Sequence, residues 1–168
     1  MIRRIRLLLL IVTTVLLQTS VFSNLRIAGV SPDVVLLAVL GIAYRAGPET
    51  GATFGFVAGL TLDLFLRTPF GLSALAFSLT GYLLGVVQAS ILRTSKWTVP
   101  LVGFVGGLVG NLLFRGINAL LGGEAFLNAH SLRVVLIASA YDALLAVPVF
   151  LFAWWAVGET PTARRGAL

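Results

Sequence analysis

The sequence predicts an all-α fold: a polytopic membrane helical bundle that forms a single integral membrane domain over residues 1–168. Hydrophobic residues make up 58% of the chain and the mean hydropathy is +1.03. Charged residues make up only 11%, against about 25% in soluble domains. Apolar stretches of membrane-spanning length recur between short breaks of Gly, Pro and charged residues. These observations exclude a soluble enzyme, a disordered chain and a nucleic-acid-binding domain.

Six spans are predicted, at about residues 5–22, 31–45, 49–66, 70–92, 98–121 and 131–157. The first could also be a signal peptide, but its cleavage site would be poor, so we favour an uncleaved helix. The second has a good helix start in Ser31-Pro32-Asp33, where serine caps and proline suits the first turn. This span is short, so it starts earlier, near Ala28, or lies partly in the interface. If it is re-entrant, five spans remain.

Lysine and arginine residues set the predicted orientation. With a cytoplasmic N-terminus, the inner segments hold eight of them: Arg3, Arg4, Arg6, Arg45, Arg93, Lys96, Arg164 and Arg165. The outer segments hold three: Arg26, Arg67 and Arg133. We therefore expect both termini to be cytoplasmic, with Tyr44, Trp97, Trp154 and Trp155 near the inner interface.

Two spans carry glycines at intervals of four residues, which places them on one helix face. The candidates for helix packing or partner binding are Gly51, Gly55, Gly59, Gly103 and Gly107. Small residues at this spacing let helices approach closely in lipid. Residues 55–67 and 103–115 also match at seven of 13 positions, as a parallel repeat or as a coincidence of two Gly-rich helices.

Polar residues within the spans form a predicted buried polar cluster of Asp63, Arg67, Asn111, Arg115 and Asp142. Because a charge inside the bilayer is costly, we expect these residues to pair. Asp63 and Arg67 have the i,i+4 spacing of an ion pair. Arg115 is expected to pair with Asp142, and the rival pairing is Arg115 with Asp63. Neutralised charges that fix helix register are the favoured interpretation over a proton path or a ligand pocket.

No catalytic, cofactor-binding or metal-binding constellation is predicted. The chain has no cysteine and one histidine, His130, so it lacks a set of soft metal ligands. Ser–His pairs, HExxH motifs and phosphate-binding loops are also absent from the sequence. The short loops leave no room for a soluble active-site domain.

Residues 55–72 read Gly-Phe-Val-Ala-Gly-Leu-Thr-Leu-Asp-Leu-Phe-Leu-Arg-Thr-Pro-Phe-Gly-Leu. This segment resembles the rod shape-determining protein MreD family, which carries Gly-x-x-x-Gly-Leu-x-x-Asp followed by a Pro-x-Gly turn. Further points of resemblance are Pro32-Asp33, Arg45-Ala46-Gly47-Pro48, Gly81-Tyr82, and Asp142 ahead of Pro148. Asn111 and Arg115 match no family pattern.

The resemblance implies a non-enzymatic scaffold subunit of the cell-elongation machinery in the bacterial plasma membrane. It implies the single-span protein MreC as partner, and more loosely MreB–RodZ and the RodA–PBP2 peptidoglycan synthase. A homodimer stays open, and no nucleic acid is expected. The family also resembles the substrate-binding subunits of energy-coupling-factor vitamin transporters in fold. That likeness concerns fold and does not by itself imply transport. The alternative function is a small-molecule transporter subunit that uses the outer-half polar residues Asp63, Asn111, Arg115 and Asp142 as a pocket.

Overall fold

The computed structural model describes residues 2–22, 31–66, 68–88, 98–122 and 129–158. These residues form helices and short turns, with no strand among them, so the all-α prediction is confirmed. The six α-helices are α1 (Ile2–Leu17), α2 (Val34–Ala46), α3 (Pro48–Asp63), α4 (Leu72–Val87), α5 (Thr98–Leu120) and α6 (Ala129–Val157), and a π-helical turn, Gln18–Phe22, extends α1. Each predicted span overlaps one of these helices.

The helices fall into two length classes. Three segments are long and apolar enough to cross a membrane: Ile2–Val21, Thr98–Leu120 and Leu132–Val157. At 1.5 Å per residue, α2 is only about 20 Å long and α3 and α4 are about 24 Å each, against a hydrocarbon core of about 30 Å. The short helices are therefore shorter than the thickness of a hydrocarbon core, whereas the three long segments are long enough to cross it.

Helix α2 lies at the centre of the bundle and begins at Val34. Its residues from Val34 to Tyr44 are all buried, because α1, α3, α4, α5 and α6 all contact it. The N-cap is Asp33, whose side chain accepts the Leu36 N–H. The expected serine cap at Ser31 is therefore wrong: a carboxylate three residues before Leu36 reaches the free N–H groups of the first turn.

The two ends of the described chain meet at one end of the bundle. The Arg6 guanidinium lies 5.1 Å from the centre of the Trp155 ring. Arg45, near the end of α2, donates from Nε to the Gly158 carbonyl at 3.3 Å and lies over Trp154. We call this end of the bundle the arginine end and the opposite end the far end. Since α1 starts and α6 finishes at the arginine end, the two ends of the described chain lie at the same end of the bundle, which favours the six-span prediction over the five-span alternative.

The glycine faces are covered by helices of this chain. A Cβ added to Gly55 would lie 2.5 Å from the Phe77 carbonyl oxygen, and one added to Gly51 would lie 2.9 Å from the Gly81 oxygen. Gly59 meets the backbone of Ser73 in the same way, at 2.5 Å. Helix α3 thus packs backbone to backbone on α4, as small residues permit.

The second glycine face makes the corresponding contact between α5 and α6. A Cβ on Gly103 would lie 2.5 Å from that of Ala146, and one on Gly107 would lie 2.6 Å from Asp142 Oδ2. Each of the two similar segments therefore packs on the helix that follows it. These glycines hold the bundle together and are not free surfaces.

Candidate functional site

At the far end of the bundle, the short helices α2, α3 and α4 do not reach as far as the long helices α5 and α6. Helix α2 begins beside Asp142, because the Asp33 backbone N–H donates to Asp142 Oδ1 at 2.9 Å. Asp142 lies 13 residues after the start of α6, so that helix extends about 20 Å beyond this level. Helix α5 faces Leu36 with Gly110 and continues to Leu120, about 15 Å further.

The space between these ends is a recess, with the starts of α2 and α4 and the end of α3 as its floor. Its volume is about 150 Å³. The lining residues are Gln18, Asp33, Leu36, Leu62, Leu66, Ser73, Phe77, Gly110, Asn111 and Phe114. Helix ends at membrane depth are tolerated where they line a cavity that water can enter. The recess provides that environment for the polar groups at its floor.

Asp142 connects the last helix to the second. It is fully buried, its Oδ1 accepts the Asp33 N–H, and its Oδ2 has no hydrogen-bond partner. The Oδ2 atom lies against Gly107, where any side chain would collide with it. The absence of a side chain at Gly107 therefore makes room for the carboxylate that fixes the start of α2.

Asp63 performs a related task for α4. Its Oδ2 accepts the backbone N–H groups of Gly71 at 2.9 Å and Ala74 at 3.4 Å, and its Oδ1 accepts that of Ser73 at 3.2 Å. The N-cap residue of α4 is Gly71, which has no side chain to cap the helix. A carboxylate at the end of α3 thus satisfies the first turn of α4, where the helix dipole also favours negative charge.

Gln18 fastens the π-helical turn to α2. Its Nε2 donates to the Pro32 carbonyl at 3.0 Å, and its Oε1 accepts the Val34 N–H at 2.9 Å. Single π-helical turns are rare and occur frequently at functional sites. Here the turn brings a side chain from α1 onto the floor of the recess.

Two polar groups of the recess keep hydrogen-bonding capacity. Ser73 is fully buried, and its hydroxyl has no partner. Asn111 is half-buried and uses its Nδ2 to donate to the Gly107 carbonyl of its own helix at 2.9 Å, so its carbonyl oxygen can still accept. The recess can therefore donate to and accept from a polar group that enters it.

The structure separates the residues of the predicted polar cluster. Asp142 lies beside Gly107, so Arg115 is eight residues further along α5, about 12 Å away along the axis. Among the described residues neither Asp142 nor Asp63 accepts from Arg115, and their oxygens accept from backbone groups instead. The expected Arg115–Asp142 pair and its rival Arg115–Asp63 are therefore wrong. Arg67, the predicted partner of Asp63, lies outside the described residues.

The recess brings together residues that the sequence patterns did not single out. Gln18 and Ser73 are isolated polar residues in apolar helices, a pattern that usually means a side chain bonded to its own helix. Asp33 was identified as a helix-start residue only. The sequence signal for the recess is helix length, because the short second span indicates that the centre of the bundle is thinner than its long helices.

The described residues contain no group of three or more His, Cys, Asp or Glu side chains that could hold a metal ion. The polar and apolar side chains that line the recess support recognition through hydrogen bonds and apolar contact.

Comparison with known proteins identifies a family. No curated protein and no solved structure matches the chain. The family model described as rod shape-determining protein MreD matches residues 1–156, which covers all the residues of the recess. The six-helix bundle, its glycine-packed helix pairs and this match together lead to one conclusion: the chain belongs to the rod shape-determining protein MreD family.

Proposed function

We propose that this protein is a non-enzymatic scaffold of the rod-shape machinery in the bacterial plasma membrane, and that it binds MreC at the recess. Membership of the MreD family supports a role in determining rod shape. With both termini cytoplasmic, as the arginine distribution predicts, the recess opens toward the periplasm. The segment of MreC next to its membrane helix then lies at the level of the recess.

The observation that carries this proposal is the unpartnered Ser73 hydroxyl at the floor of an open recess. The glycine faces are already filled by this chain, so a partner helix needs another concave surface. A partner side chain that enters the recess would satisfy Ser73 and cover Phe114 and Leu66. Apolar contact would supply most of the buried surface, and the hydrogen bond to Ser73 would add specificity, because a partner that cannot make it leaves a buried polar group unpaired.

The proposal extends to a larger assembly. A scaffold that fixes MreC beside the membrane would position it toward the RodA–PBP2 synthase and toward MreB–RodZ. The long α5, which lines the recess with Gly110, Asn111 and Phe114, would act as one of its walls.

Paired tryptophan substitutions on α5 test this proposal. Asn111→Trp fills the recess, whereas Leu101→Trp changes a residue that is 61% exposed on the same helix. We expect co-purification of MreC to fall about tenfold or more with Asn111→Trp and to stay unchanged with Leu101→Trp. Equal recovery of MreC with both variants, at equal thermal stability, would remove the recess from the proposal.

The alternative function, a subunit that binds a small molecule, has a specific point against it. The recess offers about 150 Å³, whereas small-molecule pockets are about 300–1,000 Å³. Native mass spectrometry of the protein purified alone checks this: a bound organic molecule released by Asn111→Trp would favour the alternative.

A further inference from the structure

A second concave surface lies on the outside of the bundle, between α1 and α6. Its volume is about 350 Å³, and we call it the α1–α6 groove. Leu9 and Leu17 bound it on α1, and Val149, Phe152 and Trp155 bound it on α6. From Leu9 to Leu17 the wall is about 12 Å long, close to the depth of one hydrocarbon leaflet, roughly half of the 30 Å core. The groove therefore has the length and chemistry of a seat for an acyl chain.

The walls offer little that would favour a polar occupant. The polar side chains that line the groove are those of Thr13 and Thr14, and the Thr14 hydroxyl already donates to the Leu10 carbonyl of its own helix at 2.8 Å. Phe152 is 67% exposed and Trp155 58% exposed. Aromatic groups this open to the outside of a membrane bundle are covered by lipid.

One end of the groove is cationic. The Arg6 guanidinium lies over the Trp155 ring at 5.1 Å, a contact that holds the cation in place without using its N–H donors. In the described part of the chain, Arg6 has no carboxylate partner. Arg45 at the same end is different, because it already donates to the Gly158 carbonyl. Arg6 therefore keeps the paired donors that bind a phosphate group best.

Charge at the arginine end selects the kind of lipid. The described residues there include Arg3, Arg4, Arg6 and Arg45, against one carboxylate, Glu49. Each basic residue near a membrane surface attracts anionic lipid by about 1 kcal/mol. We propose that the α1–α6 groove binds one anionic phospholipid, with an acyl chain between α1 and α6 and its phosphate on Arg6.

The test uses the full chain in phosphatidylcholine nanodiscs that contain a minor fraction of lipid with brominated chains. Bromine quenches tryptophan fluorescence on contact, and Trp155→Phe identifies the part of the signal that comes from the groove. We expect brominated phosphatidylglycerol to quench Trp155 at a lower fraction than brominated phosphatidylcholine does. Arg6→Gln should weaken this selectivity about fivefold, the equivalent of about 1 kcal/mol, and Arg6→Lys should restore part of it.

Two further variants locate the binding. Arg4→Gln removes the same charge from the same helix, but Arg4 lines a different groove, between α1 and α3, so we expect the selectivity to stay. Val149→Phe narrows the α1–α6 groove and should abolish selective quenching while Arg6 remains.

Several results would overturn the proposal. Equal quenching by the two brominated lipids, or equal losses with Arg4→Gln and Arg6→Gln, would mean an unselective surface. Loss of quenching when the protein is co-purified with MreC would assign the groove to a partner helix. Loss of quenching as protein density rises would assign it to a second copy of this chain.

Discussion

Asp142 in the middle of α6 holds the start of α2 through a hydrogen bond from the Asp33 backbone N–H to its Oδ1. The two residues are 109 positions apart in the sequence. This contact joins the last helix of the bundle to the start of its central helix.

Substitution of Asp142 tests that connection. Asp142→Leu leaves the Asp33 N–H without an acceptor, so we expect the free energy of unfolding to fall by about 1–3 kcal/mol. Asp142→Asn keeps an acceptor oxygen and should lose less than half as much. Thermal unfolding in detergent measures both, and similar losses for the two variants would mean that the hydrogen bond contributes little.

Asp63 should matter through α4 rather than through an ion pair. Asp63→Ala removes the acceptor of three backbone N–H groups at the start of α4, which should cost about 1–2 kcal/mol. Asn111→Ala is the control at the matching position of the second glycine segment. Asn111 bonds only to a carbonyl of its own helix among the described residues, so that change should stay within about 0.5 kcal/mol.

The stability cost of a glycine-to-alanine substitution should depend on which atoms the new methyl group contacts. A Cβ at Gly55 meets the Phe77 backbone at 2.5 Å, whereas one at Gly106 meets the flexible end of the Leu40 side chain at 2.7 Å. Gly55→Ala should therefore cost about 1–3 kcal/mol of stability, and Gly106→Ala should cost clearly less, because Leu40 can rotate and alanine favours the helix. A lower melting temperature for Gly106→Ala than for Gly55→Ala would contradict this order.

Arg115 should be uncoupled from Asp142. A double-mutant cycle with Arg115→Gln and Asp142→Asn measures the interaction directly. We expect a coupling energy below about 0.5 kcal/mol, because Arg115 lies about 12 Å along α5 from Gly107, the residue that Asp142 contacts. A coupling energy of about 1 kcal/mol or more would restore the ion pair that the sequence favoured.

The six helices were predictable because apolar stretches, prolines and glycines mark their limits directly. The predicted span 98–121 and the observed Thr98–Leu120 differ by one residue. Glycine spacing likewise predicted close helix contacts, although it could not say that α3 would meet α4 and α5 would meet α6. Helix limits and helix-packing faces can therefore be predicted from the local sequence pattern.

The pairing of polar residues was not predictable, because it depends on the axial offset between helices. Contact of Gly107 with Asp142 sets the offset of α5 and α6, and nothing in the spacing of Arg115 reveals it. The role of Ser73 depends in the same way on where α3 ends and α4 begins relative to α2. The depth of a residue in the bundle depends on how the helices assemble and cannot be predicted from the sequence of one helix.

The burial of α2 has a consequence for biogenesis. Its residues from Val34 to Tyr44 touch other helices on every side, and its 13 residues are fewer than the roughly 17–25 that secure independent insertion. This helix therefore reaches its place only as later helices close around it. Ribosomes stalled before α5 and α6 emerge would hold a chain whose future centre is still exposed to the translocon.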